Sequence, residues 1–237
     1  MQKTKLHFAH ANGFPPLSYR KFFKGLSSEF ELNELTLFAH HPNYPVDENW
    51  ISLTQEMLLT IKKNYQGPIV GLGHSLGGGL LYLAALAEPQ LFRALILLDT
   101  PILTGLKALG LRLSKYLGVV DYVTPARRTQ HRRSLFKDET EAYQYFRSKP
   151  LFHHFDEECL WDYIRNGLTP TTGGLALKFS SKIEYKIYRT LPHHLSQSQL
   201  RLPFPRAALC GEQSAMIGRR ERDKMQKGGF LIKLLPG

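Results

Sequence analysis

Cysteine is scarce in this 237-residue sequence: Cys159 and Cys210 are its only two, and they lie far apart. A disulfide framework is therefore not the organising principle, and a reducing, cytoplasmic setting is expected. Long apolar runs are missing too. None reaches the ~18 residues a membrane span needs, so no membrane partner is expected. Met1 is followed by Gln-Lys-Thr-Lys and a strand-like run, not by the apolar segment of a secretory leader. There is no His/Cys cluster with metal-ligand spacing. His40-His41 and His153-His154 are adjacent pairs, which splay rather than chelate. Gly77-Gly78-Gly79 lacks the Lys-Ser/Thr ending of a phosphate loop. Neither metal nor cofactor is expected.

What is present is ordinary for one globular core: 43% hydrophobic and 22% charged residues. The net charge of +11 could serve a nucleic-acid or membrane surface. Its densest run, Arg127-Arg128-Thr129-Gln130-His131-Arg132-Arg133, carries no interleaved aromatics and no accompanying helix-turn-helix, zinc or RNA-binding signature. It is expected to be a solvated face, with no nucleic-acid partner.

Along the chain, strand and helix signals alternate. Leu6–His10 reads as a buried strand stopped by Asn12-Gly13 and Pro15-Pro16, and residues 17–26 have helical spacing. A second strand is expected over 29–38. A helix is expected over 47–65, with Asp47 as its cap and Ile51, Leu53, Met57, Leu58 and Ile61 as its apolar stripe. Ile69–Gly73 and Ala94–Asp99 are apolar without alternation, the pattern of strands buried on both faces of a parallel sheet. Between them lies a Gly/Ala/Leu-rich helix over 75–88. From about residue 103 strand signals fade and aromatic, Arg- and His-rich helical stretches take over. After Pro203-Phe204-Pro205 a strand (206–211), a basic helix (215–227) and a last strand (229–235) follow. The class is α/β with a mostly parallel sheet of about six strands. The division is a core over 1–102, a helical cap insertion over 103–202, and a second core part over 203–237.

Gly73-His74-Ser75-Leu76-Gly77 fits the G-x-S-x-G nucleophile elbow. That chemistry needs a serine on a strained strand-to-helix turn, with small residues two before and two after so the backbone can close. The helix beginning there aims N–H groups and a positive dipole end at a developing oxyanion. The bare motif is weak; following an apolar strand and opening a helix strengthens it. The bland alternative is a glycine-rich turn with an incidental serine.

Together with His10-Ala11-Asn12-Gly13-Phe14-Pro15-Pro16, this elbow resembles the α/β-hydrolase superfamily, specifically bacterial serine-nucleophile hydrolases with a helical cap. Similarity continues through Ile96–Pro101 and Ile183–Pro192, covering nearly the whole chain, although the fold's usual first two antiparallel strands are missing from the pattern. The resemblance implies Ser75 as nucleophile and the backbone N–H groups of Phe14 and Leu76 as the oxyanion hole. An ordinary Asn-Gly-Pro turn is the alternative for the first loop. The family's usual acid falls at Ser214, in Gly211-Glu212-Gln213-Ser214. Asp99 occupies the place some members use instead, and Glu212 is the other candidate; Asp99 could equally cap a turn.

The triad histidine is expected in a Gly-His turn after the last strand. No histidine follows His194, and the sequence closes on Leu234-Leu235-Pro236-Gly237. His74 is expected to point away from the hydroxyl, and His10 to support the oxyanion loop. His193 and His194 are not directed to the site by anything in the sequence. Two readings stay open. One is a serine hydrolase of a small-molecule ester, thioester or related acyl bond. The other is a truncated, catalytically impaired copy that at most binds an acyl ligand. The oligomeric state is not readable.

Overall fold

The computed structural model describes residues 3–32, 35–214 and 216–236. The chain opens with strand β1 (Thr4–Ala9), helix α1 (Arg20–Leu26) and a short strand β2 (Phe30–Leu32). Helix α2 (Ile51–Asn64), strand β3 (Ile69–His74), helix α3 (Leu76–Ala87) and strand β4 (Phe92–Leu98) complete the first part of the core. Next come helices α4 (Leu106–Tyr116), α5 (Val120–Val123) and α6 (Ala126–Gln130), strand β5 (Leu135–Phe136), and helices α7 (Glu139–Arg147) and α8 (Glu157–Gly167). A hairpin of β6 (Leu168–Thr171) and β7 (Gly174–Leu177) leads to helix α9 (Ser181–Arg189). Strand β8 (Arg206–Gly211), helix α10 (Arg219–Lys227) and strand β9 (Leu231–Leu235) finish the core.

The central sheet has six strands in the order β2-β1-β3-β4-β8-β9, every pair parallel. This is the α/β class expected from the unbroken apolar runs, because parallel strands joined by helical crossovers are covered on both faces. On one face α2 and α3 bury Leu53, Met57, Ile61, Leu80, Leu81 and Ala84 against Ile69, Leu95 and Leu97. On the other, Tyr19, Phe23 and Leu26 pack on Leu6, Phe8, Val70 and Leu72.

Several elements differ in extent from expectation. The strand predicted over 29–38 forms only at Phe30–Leu32; residues 33 and 34 lie outside the described residues. Further on, Phe38 is fully buried, but its N–H donates to His10 Nε2 at 3.0 Å instead of a ladder carbonyl. Asp47 stands one turn ahead of α2, its carboxylate accepting from the Ser52 N–H at 3.0 Å and the Ser52 hydroxyl at 2.6 Å. The predicted basic helix begins at Arg219, and Ala215 lies outside the described residues.

Residues 103–202 are not purely helical. They include a three-stranded antiparallel sheet in the order β5-β7-β6, beside an aromatic cluster of Phe136, Phe146, Phe152 and Tyr163. Strands of two to four residues, one containing Pro170, are too short to show a period of two. Phe14 reaches from the loop after β1 into this cluster, its ring centroid 5.0 Å from that of Tyr163 and 5.7 Å from that of Phe152.

Candidate functional site

The strand-to-helix turn at Ser75 is built by close approach. Ser75 has φ 49° and ψ −110°, a conformation that costs a side-chain-bearing residue about 1–3 kcal/mol. Three backbone hydrogen bonds hold it: the Ser75 N–H to Leu98 O, Gly77 N–H to His10 O and Gly79 N–H to Ser75 O, each 3.0 Å. A Cβ at Gly77 would overlap the Ala9 carbonyl, one at Gly78 the Thr100 side chain, and one at Gly73 the Gly78 backbone. The glycines flanking the serine are therefore required by packing of α3 onto the ends of β1, β3 and β4.

Ser75 and Leu76 line a cavity of about 100 Å³. Its walls are almost wholly apolar, among them Trp50, Leu83, Ile102, Ile187 and Leu195, with Asn12, Tyr82 and Tyr188 as polar groups. Burial pushes the Tyr188 phenol up to about 12, so it stays neutral and can only donate or accept a hydrogen bond. Leu76 opens α3, where helix N–H groups lack intrahelical acceptors.

The loop after β1 is tied to Arg132, Tyr163 and Glu184 by a buried polar network. The Asn12 side-chain amide donates to Glu184 O at 3.1 Å. The Arg132 guanidinium meets Glu184 Oε2 at 2.6 Å and also donates to the Tyr163 hydroxyl, which in turn donates to Gly13 O at 3.4 Å. Burial raises the Glu184 carboxyl, and Arg132 opposes that rise. Sequence reasoning missed this pair. It treated Arg132 as part of a solvated run, yet its side chain is only 16% exposed. Single-sequence charge patterning carries no signal that would separate Arg132 from its exposed neighbours.

Phe14 does not line the cavity. Its N–H donates to Ala11 O at 3.1 Å, closing a turn, while Asn12 of the same loop does line it. Asp99 follows β4 directly, with φ 43°. Its Oδ2 accepts from the Ser214 hydroxyl at 2.6 Å, and its buried Oδ1 has no partner. The two alternative acid positions, 99 and 214, are thus in direct contact, whereas Glu212 is exposed.

None of the ten histidines lines the cavity. His10 is buried with both ring nitrogens engaged: Nδ1 lies 2.9 Å from Ala11 O, and Nε2 accepts from Phe38 N–H. These partners assign its proton to Nδ1, and burial lowers its pKa to about 4. His74 turns away from Ser75 to the Tyr19 hydroxyl at 2.8 Å. His40 accepts from Ser180 N–H at 3.1 Å. His193 accepts from Lys115 at 3.1 Å, and His194 is exposed in a separate surface cleft. Among the described residues no group of three His, Cys, Asp or Glu could hold a metal ion, and no helix is long and apolar enough to cross a membrane. Cys159 and Cys210 are both free thiols.

No family model matches the sequence, and no curated protein matches it. Solved structures do. A thioesterase domain from the curacin biosynthetic pathway superposes with a TM-score of 0.74 at 16% identity, over 100% of this chain and 85% of that one. E-2-(acetamidomethylene)succinate hydrolase gives 0.77 at 18%, over 99% and 83%. A peroxisomal alpha-beta-hydrolase from Saccharomyces cerevisiae gives 0.73 at 17%, over 99% and 70%. With its parallel six-stranded sheet flanked by helices and these neighbours along its whole length, the chain has the α/β-hydrolase fold.

Proposed function

We propose that this chain is an acyl hydrolase site acting on a small-molecule ester, thioester or related acyl bond, with Ser75 as the nucleophile. The observation that carries the reading is a serine held in a strained elbow at the wall of an apolar cavity. Backbone strain of this kind persists only where its surroundings over-determine it, and it clusters at active sites. In the proposed reaction Ser75 Oγ attacks the acyl carbon and the alcohol or thiol leaves. Water then releases the acid from the acyl-serine. The N–H of Leu76 faces the developing oxyanion. The second donor comes from the loop after β1, and since the Phe14 N–H is engaged by Ala11 O, Asn12 takes that role in our reading. Asp99 is the proposed acid: it is the carboxylate at the carboxyl edge of the sheet with a free buried oxygen.

The histidines favour a second reading. A serine at its free pKa is a poor nucleophile without a base, and no imidazole lines the cavity. A protein of this geometry can hold an acyl ligand yet turn it over very slowly. A fluorophosphonate probe separates the two. Labelling of Ser75 at a rate typical of activated serines, lost in Ser75→Ala, supports the hydrolase reading. Labelling on the order of 10⁴-fold or more slower matches a site lacking its base. Labelling that persists in Ser75→Ala overturns both readings.

A further inference from the structure

Helix α9 separates two cavities. Ile187 and Tyr188 line the Ser75 cavity, whereas Lys182, Tyr185, Lys186 and Arg189 line a groove of about 820 Å³. That volume lies within the range of about 300–1,000 Å³ typical of small-molecule sites. Four cations, Lys115, Lys182, Lys186 and Arg189, face it with one carboxylate, Glu48.

Two of the cations are already satisfied. Lys115 pairs with Glu48 and donates to Leu191 O at 2.6 Å. Arg189 meets Asp121 at 3.2 Å and lies over the Tyr185 ring, 5.5 Å from its centroid. Lys182 and Lys186 are exposed and, among the described residues, have no carboxylate partner. They stand one turn apart on the same face of α9, where like charges repel. Their separation suits two linked phosphates, because residues four apart in a helix have Cβ atoms about 5–6 Å from each other. Gln130 and His131 of the lining add further donors. A merely solvated basic face would be convex; this one is a groove whose lining also includes Val120 of α5 and Gln130 of α6.

We infer that this groove binds an organic diphosphate of nucleotide size, its phosphates held by Lys182 and Lys186. The site is independent of any reaction at Ser75, so it stands or falls separately from the hydrolase reading.

The test is calorimetry with ADP as the probe, at about 150 mM salt so that loose electrostatic attraction is screened. Binding of one ADP per chain is expected. A charge-assisted contact carries roughly tenfold or more in affinity, so Lys182→Gln/Lys186→Gln should weaken binding roughly 100-fold. Both side chains are exposed, and an unchanged melting temperature of the double variant shows that its fold is intact. Arg219→Gln/Arg220→Gln on α10 removes the same charge elsewhere and should leave affinity within about twofold. No binding at millimolar ADP overturns the proposal. So does equal weakening by both double variants, which would indicate net charge alone, and so does adenosine binding as tightly as ADP.

Discussion

Two glycine-to-alanine substitutions, both inside helices, should move stability in opposite directions. At Gly77, in the first turn of α3, a Cβ would fall inside the Ala9 carbonyl and crowd the Ala9 Cβ as well. Both obstacles are fixed to β1, which pairs with β2 and β3, so neither can rotate away. Overpacking of this kind costs about 3 kcal/mol at the upper end of its usual range. Alanine's better helix propensity returns about 1 kcal/mol. The net expectation for Gly77→Ala is destabilisation by about 2 kcal/mol or more. Gly110 lies within α4, and nothing comes within 4 Å of a Cβ built there. Gly110→Ala should therefore stabilise by roughly 0.5–1 kcal/mol, since only the propensity term and the entropy of the unfolded chain remain. For a chain of this length each kcal/mol moves the melting temperature by roughly 2–4 °C. Thermal and urea melts of the two variants beside the parent chain read both signs at once. A Gly77→Ala variant melting within a degree of the parent would refute the close approach of α3 to β1 on which the elbow depends.

Breaking the buried pair should be costly and non-additive. Arg132→Met or Glu184→Leu alone leaves a buried charge unpaired and should cost about 3–5 kcal/mol, while the double variant should cost clearly less than their sum. A double-mutant cycle in urea measures the coupling, and additivity would mean that the pair does not interact. Stability should also depend on pH through three buried groups. Burial lowers His7 and His10 to about 4, so the unfolded chain binds more protons than the folded one between about 4 and 6.5, and stability falls as the pH drops through that window. Burial raises Glu56 to about 7, which gives the opposite slope between about 4.5 and 7. Glu56→Gln keeps an acceptor for the Ala39 N–H and should stabilise the protein at pH 8 by an amount on the order of 3 kcal/mol, steepening the acid-side loss. Melts from pH 4 to 8 test this, and a variant whose curve parallels the parent's would remove Glu56 from the account.

The parallel core was legible because its strands, Ile69–Gly73 and Ala94–Asp99, are apolar on both faces, a pattern few other arrangements produce. The tight strand-to-helix turn at Ser75 was legible because close packing admits only glycine at positions 73, 77 and 78. The small antiparallel sheet β5-β7-β6 was not, because its strands of two to four residues are shorter than any periodicity can show. Phe14 was assigned a role that depends on backbone direction, and the sequence does not say that its N–H turns back onto Ala11 O. Nor could it distinguish Arg132, buried against Glu184, from the exposed arginines beside it, since the partner lies 52 residues away. The contact between Asp99 and Ser214 joins the ends of adjacent strands across 115 residues of sequence, a proximity that no local pattern reveals.

The φ of 49° at Ser75 sets two demands against each other. Glycine would adopt that geometry without a Cβ penalty, so the fold by itself favours Ser75→Gly over the residue it has. Ser75→Gly should therefore melt above the parent chain while it removes the hydroxyl. The serine is thus a standing load on the native state, of the size that such a backbone conformation costs, about 1–3 kcal/mol.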